Sequence, residues 1–529
     1  MLTTYRPEPY VNFAEPEPRQ KMLDALKMVE SQLGRSYPLR IGSQRIDTHS
    51  KIESYNPART DQVIGYVAKA DAEHARQAVA AAESAFKSWS RVDPDVRARY
   101  LLRAAAILRR RVYEFSAWMV YEESKSWIEA YADACECIDF LEFYGREMMR
   151  LGGAQPVTPF DGEENELRYI PLGVGAIIPP WNFPLAIMAG MTTAAIVTGN
   201  TVVLKPASTA PVIAAKFLEI LCDECMLPPG VVNFCPGSGS EIGDTIVDHP
   251  RTRFIAFTGS REVGLRIFER AAKVQPGQVW LKRTILEMGG KDCIVVTDRA
   301  DLDAAAEGVV AAAFGFQGQK CSACSRLIVD ESVHDALLSK VTERTKKLTV
   351  GNPTTAENFS MGAVIDTAAY EKIISYIEIG EKEGTLVAGR RAAEYAKPKG
   401  AGAKSGISGL FIQPTIVTGI KPDARLAQEE IFGPVLAVIK GRGIDELLEI
   451  ANGTEYGLTG AIYSNDRVHL ERARHEFHVG NLYFNRKCTG ALVDVQPFGG
   501  FNMSGTDSKA GGRDYLQLFM QGKSVTERL

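Results

Sequence analysis

The segment between Arg168 and Lys205 carries no charged side chain, and this constrains the fold more than any other feature. No Asp, Glu, Lys or Arg occurs from position 169 to 204, a length that could cross a bilayer as one helix. Prolines and glycines interrupt any single helix there. The segment is therefore predicted to form short buried elements: a strand over 174–178, a turn over 179–183, a helix from about 184 to 197, and a strand over 201–205.

Elsewhere, the spacing of apolar residues changes along the chain. Amphipathic helices dominate the first 150 residues, with a hairpin expected around 41–47. From Val174, the short runs GVGAII, TVVLKP, VVNFCPG, RFIAFTGS and DCIVV alternate with helices, and a second such set follows after about Met288. This alternation predicts βαβ units with mostly parallel, buried strands. We expect an α/β protein whose two layers divide near Glu287.

Composition excludes several classes of protein. At roughly 150 residues per domain, 529 residues predict about three to four units. A hydrophobic content of 45% argues against disorder, and a net charge of -4 argues against binding to nucleic acid or an anionic membrane. Nine cysteines without dense spacing, and an N-terminus without an apolar core, favour a cytoplasmic protein.

The candidate nucleophile is Cys321, which lies in the run FGFQGQKCSACSRL. Lys320 precedes it, and a neighbouring cation favours the thiolate, which is the nucleophilic form of cysteine. Cys321 and Cys324 also form a C-x-x-C pair, as do Cys222 and Cys225, so zinc binding and a dithiol switch are alternatives. An inert buried thiol is the third alternative.

Two other polar residues occupy positions where α/β proteins build sites. Glu287 ends a β-like run just before a glycine pair, and strand ends commonly carry functional groups. A solvated loop acid is the alternative interpretation. Asn182 lies on the proline-stiffened turn PPWNFP, where a structural Asx-turn is the alternative.

Dinucleotide-binding signals are present but not decisive one by one. In FTGSREVG, a strand leads into a helix whose first amides could hold a pyrophosphate near Gly259 and Ser260. Lys205 follows a strand and could reach a ribose hydroxyl or a phosphate, while EEIFGP pairs Glu430 with Phe432. The run PGSGSEIG departs from the G-x-G-x-x-G spacing and is weak evidence alone.

The motifs PWNFP, LKP, FTGS, E-x-GGK, GQ-x-C and EEIFGPV occur in this order along the chain. By this combination, the sequence resembles the aldehyde dehydrogenase superfamily over nearly its whole length. The resemblance implies an α/β fold with a Rossmann-type cofactor domain, an α/β catalytic domain and a small β oligomerisation arm. The implied cofactor domain comprises residues 1–150 and 171–286, and the catalytic domain comprises residues 287–505. The implied arm comprises residues 151–170 and 506–529. A homo-oligomer built from dimers, without a metal ion, is also implied.

The resemblance assigns chemistry to three residues. Cys321 would attack an aldehyde carbon, and the Asn182 amide with the Cys321 backbone N–H would hold the resulting oxyanion. After hydride transfer to NAD, Glu287 would activate water to hydrolyse the thioester. The implied cofactor-binding residues are Pro180, Trp181, Lys205, Ser208, Gly259, Ser260, Val263, Glu430 and Phe432.

Ser208 departs from the pattern of the family. Many NAD-preferring members carry Glu at this position, and a serine would not repel a 2′-phosphate. NADP is therefore an alternative cofactor.

The runs KCSACS, SYIEIGEKEG and FHVGNLYFNRKCTGALVDVQPFGG are similar to the branch of the family that oxidises L-glutamate γ-semialdehyde in proline catabolism. The small-molecule substrate would then bring an amino group to Glu136 and a carboxylate to the loop around Gly490. The implied substrate-binding residues are Glu136, Phe183, Lys320, Ser322, Gly490, Ala491 and Phe498. For Glu136, the alternative is a role as a helix-surface acid. For the protein as a whole, the alternatives are a CoA-acylating dehydrogenase and a catalytically silent binding protein.

Overall fold

The computed structural model describes residues 3–396 and 409–529. Within these ranges, no helix is both long and apolar enough to cross a membrane. The α-helices, in chain order, are α1 (Pro16–Glu30), α2 (Ala72–Trp89), α3 (Pro94–Arg110), α4 (Val112–Glu123), α5 (Trp127–Leu151), α6 (Ala186–Val197), α7 (Pro211–Leu218), α8 (Asp244–Asp248), α9 (Arg261–Ala272), α10 (Leu302–Phe314), α11 (His334–Thr345), α12 (Thr367–Glu383), α13 (Arg425–Gln428), α14 (Gly443–Asn452) and α15 (Arg467–Glu476).

Short 3-10 and π-helical turns complete the regular structure of the described residues, together with twenty-one strands. In chain order they are β1 (Arg35–Tyr37), β2 (Leu39–Ile41), β3 (Gln44–Ile46), β4 (Lys51–Asn56), β5 (Arg59–Ala68), β6 (Glu163–Pro171), β7 (Val174–Ile178), β8 (Thr201–Leu204), β9 (Val232–Phe234), β10 (Thr252–Thr258), β11 (Arg283–Glu287), β12 (Cys293–Val296), β13 (Arg326–Asp330), β14 (Thr385–Ala388), β15 (Thr415–Thr418), β16 (Val435–Gly441), β17 (Tyr456–Gly457), β18 (Thr459–Tyr463), β19 (Asn481–Phe484), β20 (Phe501–Asn502) and β21 (Met520–Arg528).

The uncharged segment forms the centre of the first large sheet. This sheet has the order β11-β10-β7-β8-β9-β2-β3, and its strands from β11 to β9 are parallel. Every position of β7 and β8 is buried, because apolar clusters cover both faces of the sheet. The predicted strands and helix of the segment are confirmed, with the helix starting at Ala186, and the hairpin is confirmed as the antiparallel pair β2–β3.

A second large sheet follows in the chain and is also mostly parallel. Its order is β14-β15-β16-β13-β12-β18-β19, and only β14 runs antiparallel to its neighbour. Residues 288–292 connect the last strand of the first sheet, β11, to the first strand of the second, β12. The predicted α/β class is confirmed.

The segments predicted to form an arm divide between two places. Strands β6 and β21 pair antiparallel along their full lengths. In contrast, residues 506–519, which the prediction also gave to the arm, pack inward against β11, α5 and α6. Ser508 contacts Glu287 there, and the ring of Tyr515 stacks on Tyr144 with centroids 5.6 Å apart. Burial of these aromatic rings explains why this part of the tail lies inward.

Candidate active site

Cys321, Glu287 and Asn182 border two neighbouring cavities: Cys321 lines both, Glu287 lines one and Asn182 lines the other. Asn182 lies on the turn after β7, Glu287 is the last residue of β11, and Cys321 follows α10. Two cavities lie beside Cys321, and its thiol borders both of them. The smaller has a volume of about 260 Å³ and the larger about 550 Å³. The arrangement places one candidate nucleophile between two separate binding spaces.

The loop before Cys321 is held in an unusual backbone conformation. Phe316 and Gln317 have φ values of 49° and 57°, which non-glycine residues rarely adopt. The buried Gln317 side chain stabilises them by donating to the carbonyls of Ser124 and Ala363 at 3.2 and 2.8 Å. Gly318 has φ +65°, and a Cβ there would lie 2.4 Å from the Gly433 carbonyl oxygen. Only glycine therefore fits at this position.

The Asn182 side chain is fixed by the same loop. Its Nδ2 donates to the backbone carbonyl of Gln319 at 3.0 Å, and the residue is 3% exposed. The Gln319 side chain in turn accepts the backbone N–H of Ile365 at 3.0 Å. One amide proton of Asn182 remains to serve a ligand. Sequence reasoning missed Gln317 and Gln319, because their partners are distant in the chain.

The expectation that Lys320 stabilises a Cys321 thiolate is wrong. The Lys320 ammonium donates to both oxygens of Glu129, at 2.8 and 2.6 Å. Burial raises the pKa of the Cys321 thiol, and the carboxylates of Asp292 and Glu287 raise it further. The thiol therefore holds its proton until a nearby base accepts it.

Glu287 has the properties of a base for reactions near neutral pH. Burial raises the pKa of its carboxyl to about 8, while hydrogen bonds from the Ser508 hydroxyl and the Gly500 N–H act in the opposite direction. The Gly500 bond measures 3.2 Å. Ser508 lies in the region predicted to belong to the arm, so its contact with Glu287 was missed by sequence reasoning.

The larger cavity brings together most of the predicted cofactor-binding residues. Ser208 lies outside this lining, and its hydroxyl donates to the carbonyl oxygen of Gly237 at 3.4 Å. Lys372, Arg266 and Asp244 also border the cavity, and none of the motifs pointed to them. The predicted residues that line it are Pro180, Trp181, Lys205, Gly259, Ser260, Val263, Glu430 and Phe432.

The chemistry of this lining suits a dinucleotide. Ser260 caps α9, accepting the Val263 N–H at 3.4 Å, so the positive end of the helix borders the cavity. Burial lowers the pKa of the Lys205 ammonium to about 8. The half-buried Glu430 carboxylate accepts the Gly290 N–H at 3.1 Å, and carboxylates suit ribose hydroxyls. Phe432 packs edge-on to a tryptophan ring with centroids 5.5 Å apart.

The smaller cavity contains every residue that was predicted to bind substrate. Burial raises the pKa of the Glu136 carboxyl to about 8, and the carboxylates of Asp133 and Asp139 add to this effect. Glu129, Lys487 and Tyr10 also border the cavity, although sequence reasoning did not identify them. The predicted residues that line it are Glu136, Phe183, Lys320, Ser322, Gly490, Ala491 and Phe498.

The other cysteines show no arrangement typical of a zinc site. Cys225 is buried in the core cluster around α4 to α7, whereas Cys324 is buried in the cluster around β12 and β13. The two C-x-x-C pairs therefore lie apart. Across residues 3–396 and 409–529, no group of three or more His, Cys, Asp or Glu side chains could hold a metal ion.

Comparisons with known proteins agree with this geometry. The chain is 60% identical over 527 residues to 1-pyrroline-5-carboxylate dehydrogenase of Geobacillus kaustophilus, covering 100% of both chains. It is 58% identical over 529 residues to the protein of the same name from Bacillus mycoides, again covering 100% of both.

Solved structures show the same similarity. A 1-pyrroline-5-carboxylate dehydrogenase from Thermus with bound NAD matches with a TM-score of 0.95 and 50% identity, over 100% of both chains. A betaine aldehyde dehydrogenase from Staphylococcus aureus in complex with NAD+ matches with a TM-score of 0.86 and 27% identity, over 96% of this chain and 97% of that one. The sequence model of the aldehyde dehydrogenase family matches residues 45–525. The chain therefore belongs to the aldehyde dehydrogenase family.

Proposed function

We infer that this protein oxidises L-glutamate γ-semialdehyde, the open form of 1-pyrroline-5-carboxylate, to L-glutamate in proline catabolism. The observation that carries this inference is the smaller cavity, which ends at the Cys321 thiol and contains all the substrate-binding residues expected for this aldehyde. Full-length relatives at 60% identity bear the name 1-pyrroline-5-carboxylate dehydrogenase. Overall, aldehyde, water and NAD+ give carboxylic acid, NADH and a proton.

Cofactor binding falls to the larger cavity. Lys205 and Glu430 would bind ribose hydroxyls, and the first amides of α9 after Ser260 would bind the pyrophosphate. NAD, when bound, supplies the hydride acceptor. NADP is the alternative cofactor, and the Ser208 side chain, which faces Gly237, places no negative charge against a 2′-phosphate.

The first chemical step forms a bond between the Cys321 sulfur and the aldehyde carbon. As the bond forms, the thiol gives its proton to the Glu287 carboxylate, which borders the same cavity and then releases that proton to water. The carbonyl oxygen becomes an oxyanion. The free Asn182 amide proton and the Cys321 backbone N–H stabilise that charge. When the carbon loses hydride, a thioester remains on Cys321.

Hydrolysis of the thioester completes the reaction. Glu287 takes a proton from water, the resulting hydroxide adds to the thioester carbon, and the sulfur leaves. The raised pKa of Glu287, about 8, suits this transfer because the carboxylate is a stronger base than in water. Glu287 thereby favours hydrolysis over acyl transfer to CoA.

Recognition of the substrate depends on its α-amino group and its α-carboxylate. Glu136 would receive the α-amino group, while Ser322 and the backbone N–H groups of Gly490 and Ala491 would receive the α-carboxylate. Phe183 and Phe498 would pack on the methylene groups, which are apolar.

Steady-state assays of the purified chain test this function. We expect L-glutamate γ-semialdehyde to give a higher kcat/KM than succinic semialdehyde, propanal or betaine aldehyde, measured as NADH formation and repeated with NADP. A Cys321→Ala variant is the control for the chemical step and should form no NADH. A preference for another aldehyde, or acyl-CoA formation on adding CoA, would contradict the proposal.

We further propose that the protein acts in the cytoplasm as a homo-oligomer built from dimers. All the cysteines are free thiols, which fits a reducing compartment. Val279 and Leu281 are each 77% exposed on the surface near β11, where apolar side chains suit an interface. Light scattering after size-exclusion chromatography should give a mass that is an even multiple of 57.9 kDa.

A further inference from the structure

The N-terminal segment before α1 lies beside the substrate cavity, although it precedes the matched family range of 45–525. The backbone N–H of Glu8 donates to Asp139 Oδ1 at 2.9 Å, and the Glu8 carboxylate accepts Arg109 Nε at 2.9 Å. Asp139 lies on α5, one helical turn from Glu136. These contacts fasten the segment across the helix that carries a predicted substrate-binding carboxylate.

Both ends of the segment are also anchored. The Tyr5 ring packs on Phe143 of α5 with centroids 5.5 Å apart. Phe13 is 3% exposed and packs edge-on to Trp127, with centroids 5.7 Å apart. The prolines at positions 7 and 9 restrict the backbone between these anchors. The segment is therefore held in one extended path.

This path brings the segment to the second wall of the cavity as well. The Tyr5 hydroxyl donates to the carbonyl oxygen of Val493 at 3.3 Å. Val493 borders the same cavity as Gly490 and Ala491, which belong to the loop assigned to the α-carboxylate. The segment thus joins α5 to that loop across the cavity.

Tyr10 is the residue of this segment that borders the cavity itself. It is 52% exposed, so its ring lies at the mouth with one side in water. Glu136 borders the same cavity as Tyr10. A ring at this place reduces the access of water to a charged group inside.

We propose that residues 5–10 form a cover over the mouth of the substrate cavity, and that Tyr10 is a specificity-determining residue for substrates that carry an α-ammonium group. This proposal rests on the proposed function. The Tyr10 ring limits the hydration of the ion pair between Glu136 and that ammonium group. Excluding water strengthens a charge-assisted hydrogen bond, whereas an uncharged aldehyde gains little from it.

The test compares Tyr10→Ala and Tyr10→Phe with the wild-type protein on L-glutamate γ-semialdehyde and propanal. Tyr10→Ala should lower the ratio of kcat/KM for the semialdehyde to kcat/KM for propanal by about tenfold. This is about the effect of losing one charge-assisted hydrogen bond. Tyr10→Phe keeps the ring and should lower the ratio by less than about threefold. Phe160→Ala, which removes another exposed ring, is the matched control because Phe160 is 68% exposed and borders neither cavity.

An unchanged ratio in Tyr10→Ala, or an equal loss for both aldehydes, would overturn the proposal. A fall in the melting temperature that accounts for the loss on both substrates would also overturn it. The binding of L-glutamate, measured by calorimetry, separates this proposal from the proposed function. If the wild-type protein does not oxidise the semialdehyde, the proposed function is wrong. If wild type and Tyr10→Ala bind L-glutamate with equal affinity, the role of Tyr10 is wrong, whatever the result for the function.

Discussion

Replacing Ser508 with alanine should move the pH dependence of thioester hydrolysis to higher pH. The Ser508 hydroxyl donates to Glu287 Oε1 and stabilises the ionised carboxylate, while burial raises the pKa of that carboxyl to about 8. A hydrogen bond to a charged group contributes about 1.5–3 kcal/mol, and one pKa unit corresponds to about 1.4 kcal/mol. The hydrolysis profile of Ser508→Ala should therefore shift upward by about one to two pH units.

The rate follows from the fraction of Glu287 that is ionised. A group with a pKa of about 8 is about half ionised at pH 8. After the shift, about a tenth or less is ionised at the same pH, so hydrolysis should slow by about fivefold or more. At high pH, where Glu287 is ionised in both proteins, the two rates should converge.

Single-turnover measurements isolate the relevant step. The acyl-enzyme is formed with substrate and NAD, and its decay is followed by quenched-flow mass spectrometry across the pH range. Ser524→Ala on the exposed strand β21 is the matched control and should follow the wild-type profile. A uniform loss of rate in Ser508→Ala, with the same pH dependence as wild type, would refute the assignment of Glu287 as the base.

Three more perturbations test other parts of the structure. Asn182→Ala should lower kcat by about 10²–10³-fold, since it removes one donor to the oxyanion, and an unchanged kcat would exclude that role. Folding raises the pKa of the Glu287 carboxyl from 4.5 to about 8, so between these pH values the folded protein holds a proton that the unfolded chain has released. Glu287 therefore costs no stability below pH 4.5, and the cost grows as the pH rises to about 8. Glu287→Gln should therefore gain thermal stability over wild type from acidic pH up to about pH 8, with no further gain above it. Lys125→Met should lower the free energy of unfolding, measured by urea denaturation, by about 3–5 kcal/mol, because it leaves the buried Asp133 carboxylate without its ion-pair partner. Lys347→Met, which removes an exposed ion pair, is the control and should change this free energy by less than about 1 kcal/mol.

Local sequence patterns were sufficient to predict the buried centre of the first sheet. Prolines break the uncharged segment at the places where β7 ends and α6 begins, and these are short-range effects. The family resemblance then predicted most of the side chains that border the two cavities, including Phe183 and Phe498, although Ser208 borders neither.

Long-range pairing could not be predicted in the same way. Lys320 was expected to act on Cys321, but its partner Glu129 lies 191 positions away and gives no local signal. The contact of Ser508 with Glu287 spans 221 positions. Ser208 was predicted to border the cofactor because many relatives carry Glu at this position, but its short side chain donates to the carbonyl oxygen of Gly237. Such contacts depend on how the sheets meet, which periodicity does not encode.

Thr258, Met288 and Cys321 are common to the linings of both cavities. A ligand in one space can therefore approach a ligand in the other only beside the sulfur. A molecule designed to occupy both spaces at once would have to be narrow at its middle, where it passes this thiol, and broad at its two ends.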